Sequence, residues 1–200
     1  LQVDDRVAEC STGRDLVAWQ IAVARGEPLR LTQEQVHLNG HAIEVRLYAE
    51  DPYAGFLPQS GDVALWRPPT GEGVRVDHGL TSGQTVSPHY DPMIAKIIAH
   101  GATRDEARRR LVGALQRTRL LGLPHNRAFL ESVSSHPPFA AGETTTAFIA
   151  QHFGAAALVR PHPDSLALAL SRTLCFLASA PPVAAAPWRS RASMAYTEHV

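Results

Sequence analysis

The run His41-Ala42-Ile43-Glu44-Val45-Arg46-Leu47-Tyr48-Ala49 constrains the fold more than any other part of the chain. It alternates with the two-residue period of a β-strand, so Ile43, Val45 and Leu47 share one face and Glu44, Arg46 and Tyr48 the other. The apolar face needs a second layer to cover it, and the polar face is left with an acid beside a permanent cation. Two readings of that pair are open. An Arg next to a Glu on a strand is ordinarily solvent-facing or salt-bridged. Alternatively, the planar guanidinium of Arg46 holds a carboxylate-like or carbonate-like anion while the neighbouring acid fixes its orientation. Glu50 and Asp51 extend the polar cluster just past the strand, where ligand sites often sit on loops.

Mixed patterns surround this strand. Thr12, with Asp15 three residues on, predicts the cap of a helix carrying Leu16, Val17, Trp19, Ile21 and Val23 and ending at Gly26 and Pro28. From Asp51 to Ser87, glycines and prolines punctuate short apolar runs over 63–66 and 74–76, which read as small strands joined by tight turns. The run 93–99 is too short for a typical helix and reads as a buried strand, in which Lys96 faces solvent or a partner carboxylate. Thr103 caps a second helix with Glu106 at the reciprocal position, and Ala107, Leu111, Ala114 and Leu115 form its apolar stripe. Shorter helices are expected over 126–134 and 145–153, and one more over 165–178. The expectation is a compact α+β unit over roughly 1–154, then a tail in which 180–187 is an Ala- and Pro-rich linker.

Composition excludes several functions. Lys plus Arg and Asp plus Glu both number 19, which removes the electrostatic argument for nucleic acid or an anionic membrane surface. No run is long enough to span a bilayer, and no signal peptide is in view. Cys10 and Cys175 match no metal-ligand spacing and fit a reducing, cytoplasmic setting. P-loop, dinucleotide and HExxH patterns are missing, the histidines form no ligand set, and Gly71-Glu72-Gly73 reads as a turn. In Ser87-Pro88-His89-Tyr90-Asp91-Pro92, His89 could titrate near neutral pH and Asp91 holds a rigid pre-proline position; turn-shaping and a site role are both open. The first residue is Leu1 rather than Met, so the chain is expected to be part of a longer polypeptide.

Taken together, these segments resemble the biotin carboxylase domain of acyl-CoA carboxylases and pyruvate carboxylase. Gln2-Val3-Asp4 looks like the family's Gln-Val-Glu-His segment, and residues 12–26 are similar to its next helix. The stretch Gly40 to Pro52 closely matches its most recognisable C-terminal motif. Phe56-Leu57-Pro58, Gly61, Tyr90 to Lys96, Thr118 to Asn126, Phe129-Leu130, His136-Pro137, Phe139, Gly142, Thr146, Phe148 and Ile149 continue in family order.

The resemblance implies the end of an ATP-grasp region over 1–35, the biotin carboxylase C-terminal domain with antiparallel strands and flanking helices over 36–154, a helix and linker over 155–187, and the start of a following domain over 188–200. It is most like a methylcrotonyl-CoA carboxylase-type α subunit. The implied activity is that of a ligase: carboxylation of biotin with bicarbonate and MgATP. Arg46 would contact the bicarbonate-derived species and the biotin ureido oxygen, stabilising developing negative charge. Gln2 and Val3 would contact the small anion, and Asp4 would stand where the family has a glutamate acting as general base. The same segment departs from the family: Asp4 is one methylene shorter, Asp5 replaces a histidine, Arg6 a proline and Ala8 a threonine.

ATP and Mg²⁺ would be gripped mostly by residues outside the chain, with no metal ligand within it. The chain by itself is therefore expected to be inactive. Biotin would arrive on a separate carrier domain, since no Met-Lys attachment motif is present. The expected partners are that biotin carboxyl carrier domain, a carboxyltransferase subunit and a second copy in a homodimer or larger assembly. A noncatalytic dimerisation or interaction module derived from the same fold is the alternative.

Overall fold

The computed structural model describes residues 5–29, 31–154 and 158–179. The chain divides into two units, Leu1–Val159 and Arg160–Val200. In the first, helices α1 (Asp5–Thr12) and α2 (Leu16–Ala24) precede the long strand β1 (His41–Tyr48). Short strands β2 (Glu50–Asp51), β3 (Leu57–Pro58), β4 (Gly61–Asp62), β5 (Leu65–Arg67), β6 (Val74–His78) and β7 (Thr85–Val86) lead to a second long strand, β8 (Met93–Gly101). Helix α3 (Arg104–Arg117), strand β9 (Arg119–Leu121) and helices α4 (Arg127–Ser135), α5 (Pro137–Ala141) and α6 (Phe148–His152) complete it. The second unit contains α7 (Ser165–Ser179), whose Leu166, Leu168, Leu170 and Leu174 are exposed.

The main sheet is antiparallel with strand order β1-β8-β6, so β8 is central and β1 is an outer strand. The ladders β2–β3, β4–β7 and β5–β9 are each two-stranded and antiparallel. On the apolar face, Ile97 and Ala99 of β8, with Ile43 and Val45 of β1 and Val74 and Val76 of β6, pack on Leu111, Ala114 and Leu115 of α3. Leu111, Leu115 and Ile97 are fully buried, each contributing about 1.5–3 kcal/mol by leaving water. A second cluster joins Leu47, Val63, Trp66, Leu80, Leu120 and Leu123. Helix α1 lies on the other side of the sheet, packing against β1 and β8.

The alternating strand, the buried strand with Lys96 and the long helix after Thr103 stand as the sequence predicts. Thr103 Oγ1 accepts from Glu106 N at 3.2 Å, while Glu106 Oε2 reaches back to Ala102 N at 2.9 Å, one residue before the cap. The Gly71-Glu72-Gly73 segment is a turn because the chain passes too close for a side chain. Gly73 has φ +66°, and a Cβ there would sit 2.5 Å from His100 O.

One expected cap is corrected. Thr12 ends α1, its hydroxyl donating to Ala8 O at 2.7 Å, and Asp15 caps α2 by accepting from Ala18 N at 2.8 Å. Gly13 stands between them at φ +67°, its N–H donating to Glu9 O at 2.8 Å, so the Thr12…Asp15 pattern straddles a helix end. Helix α1 itself escaped the sequence reading because its buried residues, Glu9 and Ser11, are polar and leave no apolar stripe. Helix α5 was also missed, although Pro137 opens it at the position where proline is tolerated. The helix expected over 145–153 is shorter, Phe148–His152. The linker tract 180–187 and the tail from Trp188 lie outside the described residues.

His125 gives the fold a pH dependence. Its Nε2 lies 3.1 Å from Leu120 O and its Nδ1 accepts from Arg127 N at 3.4 Å, which assigns the neutral Nε2–H tautomer. Burial, opposed by the Leu120 carbonyl and assisted by the Arg127 charge, pushes its pKa below the usual histidine value of 6.5. With the folded pKa depressed, the unfolded chain binds the proton first. The His125 contribution is therefore present above about pH 6.5 and is lost as pH falls toward the folded pKa. Urea unfolding at pH 7.5 and pH 5.5 should show a smaller acid loss of stability in His125→Gln than in the unsubstituted chain; equal losses would exclude His125 as a source.

Candidate functional site

The polar face of the sheet assembles charges that the sequence places far apart. Antiparallel register sets Arg46 of β1 opposite Lys96 of β8, and Lys96 opposite Asp77 of β6. The neighbouring row runs Glu44, Ile98, Arg75. Two rows of mixed sign thus cross the sheet, with Ile98 fully buried between the charges of the second. An open groove of about 290 Å³ adjoins them, lined in part by Asp77, His78, Met93, Ile94 and Lys96.

Glu44 is the most enclosed charged member, its side chain only 7% exposed. Its Oε1 lies 3.6 Å from Lys96 Nζ and 4.0 Å from Arg46 Nε. Burial raises the Glu44 pKa, with Lys96 and then Arg46 opposing that rise and Asp5 of α1 adding to it. Arg46 is more open, with 35% of its side chain exposed. The Tyr48 hydroxyl first, against burial, and then Glu44 and Asp91 make the Arg46 guanidinium hold its proton more tightly than usual. Both open readings of Arg46 thus meet in one place: it is near an acid, yet its guanidinium remains accessible.

Helix α1 is fastened over this face by a separate set of ion pairs. Arg75 grips Asp77 bidentately, Nε to Oδ1 at 2.9 Å and Nη2 to Oδ2 at 3.1 Å, and its Nη1 reaches Glu9 Oε2 at 3.1 Å. From α1, Arg6 Nε meets Asp77 Oδ2 at 2.8 Å and Arg6 Nη1 meets Glu9 Oε2 at 3.3 Å. The second oxygen of Glu9 accepts from Leu16 N at 3.1 Å, tying the start of α2 to the same point. Burial pushes the Cys10 thiol upward, with Arg75 opposing, which does not favour a thiolate nucleophile.

Of the residues singled out from sequence, Gln2, Val3 and Asp4 lie outside the described residues; they immediately precede α1. Glu50 follows β1, and burial and then Asp91 raise its pKa. Asp51 is buried and shapes the next turn, its Oδ1 accepting from Tyr53 N at 3.0 Å. The 87–92 segment is held as a turn: Ser87 Oγ accepts from His89 N at 3.2 Å, Asp91 Oδ1 from Met93 N at 2.7 Å, and Pro92 O from Ala49 N at 2.8 Å.

Arg6, Glu9, Arg75, Asp77 and Asn126 were not read from the residues as site components. Alternation in Arg75-Val76-Asp77 is the one local signal that could have pointed there. Asn126 supports β1 from outside the sheet. Its Oδ1 accepts from Tyr48 N at 2.9 Å, its Nδ2 donates to Arg46 O at 3.3 Å, and its backbone N–H donates to Tyr48 O at 3.2 Å.

The motif around Arg46 also decides kinship. The family model of the biotin carboxylase C-terminal domain matches residues 44–151. The chain belongs to this family. A biotin carboxylase of Halalkalibacterium halodurans is 47% identical over 152 residues, covering 76% of this chain and 33% of that protein. The mitochondrial methylcrotonoyl-CoA carboxylase subunit alpha of Arabidopsis thaliana is 47% identical over 153 residues, covering 76% of this chain and 21% of that subunit. The biotin carboxylase domain of Hydrogenobacter thermophilus 2-oxoglutarate carboxylase, solved as a dimer with MgADP, ADP and bicarbonate, superposes with a TM-score of 0.77 at 34% identity, covering 81% of this chain and 35% of that one. The chain therefore spans about a third or less of the length of these relatives. Its mixed α+β fold, with antiparallel sheets and flanking helices, is that of the biotin carboxylase C-terminal domain. Among the described residues, no helix is long and apolar enough to cross a membrane.

Proposed function

We propose that the protein carrying this chain carboxylates biotin with bicarbonate at the expense of ATP, and that this chain supplies the bicarbonate- and biotin-facing side of the site. The observation that carries the reading is Arg46: a half-open, permanently charged guanidinium within the family motif, on a charged sheet face beside a groove. A cation fixed in advance stabilises negative charge as it develops on bicarbonate or on the ureido oxygen, without reorganising during the reaction.

In this reading Gln2 and Val3 contact the small anion, and Asp4 takes the place of the general base. Helix α1, which follows that segment in sequence, is fastened to the sheet by Arg6, Glu9, Arg75 and Asp77. Division of the chain at 35, 154 and 187 into ATP-grasp edge, C-terminal domain, linker and following domain belongs to the same proposal. ATP and Mg²⁺ would be held mostly by other parts of the protein. Among the described residues, no group of three or more His, Cys, Asp and Glu side chains is placed to hold a metal ion, so no step is assigned to one here.

The partners proposed are a biotin-bearing carrier domain, a carboxyltransferase subunit and a second copy. The first two follow from relatives that are CoA carboxylase subunits, the last from a relative solved as a dimer. A second reading, a noncatalytic assembly module, draws on α2, whose largely apolar sequence has no buried residue and leaves Ile21 and Val23 exposed.

The test is ATP cleavage by the protein carrying this chain. Cleavage that requires bicarbonate and rises with free biotin is expected. Cleavage indifferent to both, or none, would favour the assembly module.

A further inference from the structure

Glu44 holds a charge where a charge is costly. Its side chain is more than nine-tenths buried, and among the described residues its buried Oε2 has no hydrogen-bond partner. A buried carboxylate is tolerated when cations compensate it. Two do so here, and both converge on the other oxygen, Oε1: Lys96 Nζ at 3.6 Å and Arg46 Nε at 4.0 Å. These separations are too long for directional hydrogen bonds, so the acid restrains the guanidinium by charge. It acts at Nε, leaving the two terminal nitrogens as the pair that an oxyanion can bridge end-on.

We propose that Glu44 is a positioning residue for the Arg46 guanidinium and that Lys96, opposite Arg46 across the β1–β8 ladder, keeps Glu44 in its charged form. This rests on the reading of Arg46 as the cation facing bicarbonate and biotin. With Glu44 ionised, the trio carries one net positive charge and Arg46 is restrained from one side. With Glu44 protonated, two adjacent cations are left to repel each other and the guanidinium keeps the Tyr48 hydroxyl but loses the charge that holds its Nε.

The groups facing Glu44 are Arg46 on its own strand, Lys96 on β8, and Asp5 and Cys10 on α1. Burial and Asp5 raise its pKa, whereas Lys96 and Arg46 lower it. Activity should therefore fall as pH drops through the Glu44 pKa, and removal of Lys96 should move that fall to higher pH.

The experiment is the pH profile of bicarbonate- and biotin-dependent ATP cleavage by the protein carrying this chain, compared with its Glu44→Gln, Lys96→Met and Arg46→Ala variants. Glu44→Gln should lower kcat/KM for bicarbonate about 10- to 100-fold, on the order of the loss that follows misplacement of a positioned group, and should abolish the acid limb. Lys96→Met should keep the limb and shift it upward. A Glu44→Gln variant within twofold of the unsubstituted protein, or one that keeps its acid limb, overturns the proposal. Should Arg46→Ala be inactive while Glu44→Gln is not, positioning alone fails; should Arg46→Ala remain active, the reading of the site fails.

NMR of the unsubstituted protein tests the same coupling without turnover or variants. The Arg46 Nε–H signal should move with the same midpoint as the Glu44 carboxyl carbon, and independent midpoints overturn the coupling.

Discussion

Arg46→Ala is expected to lower biotin-dependent ATP cleavage by the protein carrying this chain at least about 100-fold, the scale on which a single preorganised charge-stabilising donor acts. The effect should fall mainly on kcat, because the cation matters most where negative charge has developed. Its side chain is 35% exposed, so deletion opens no core cavity, and Lys96 stays beside the buried Glu44, so the melting temperature should fall only slightly. Arg46→Lys separates charge from shape: a lysine restores a point charge but not the planar fork, and should recover only part of the loss. Steady-state kinetics on both variants beside a thermal melt make the comparison. Full activity in Arg46→Ala would remove Arg46 from the chemistry, and a collapsed melt would make its role architectural.

Asn126→Ala should produce the largest stability loss outside the apolar core. Strand β1 is an outer strand, and the backbone groups of Arg46 and Tyr48 that meet Asn126 would otherwise form an open edge. The Asn126 side chain closes it by accepting from Tyr48 N and donating to Arg46 O, from a residue only 5% exposed. Truncation leaves a donor and an acceptor without partners in an enclosed place, at about 1–3 kcal/mol each, for a total of about 2–6 kcal/mol. For a chain of this size that corresponds to a fall of roughly 4–24 °C in melting temperature. Arg46 sits on the released strand, so activity should decline as well. A thermal melt within about 2 °C of the unsubstituted chain would show that water or a neighbouring group replaces the bracket.

The elements legible from sequence are those whose burial follows their own period. β1 alternates along its sequence, β8 is an apolar run with Ile97 and Ile98 both fully buried, α3 carries its stripe at helical spacing, and Thr103 with Glu106 marks where α3 begins. Helix α1 was not legible because what it buries is Glu9 and Ser11, and the Glu9 charge is met by Arg6 of the same helix and by Arg75, more than sixty residues later. The same limit applied to the site. Arg46 could be singled out locally, and Lys96 as alternating against apolar neighbours. That the two stand opposite each other with Glu44 between them depends on strand register, which no local pattern reports. Asn126 acts on residues about eighty positions away and carries no periodic signal at all.

Within β8, Lys96 belongs to the charged row while its neighbour Ile97 is fully buried beneath α3. One strand therefore serves both faces of the sheet, and it cannot open toward one without stripping the other. Low-cost local openings, of the kind that hydrogen exchange detects at loops and chain ends, are closed to the middle of this strand. The Lys96 position at the centre of the charged row is in that sense as durable as the hydrophobic core, and what freedom it has resides in side-chain rotation.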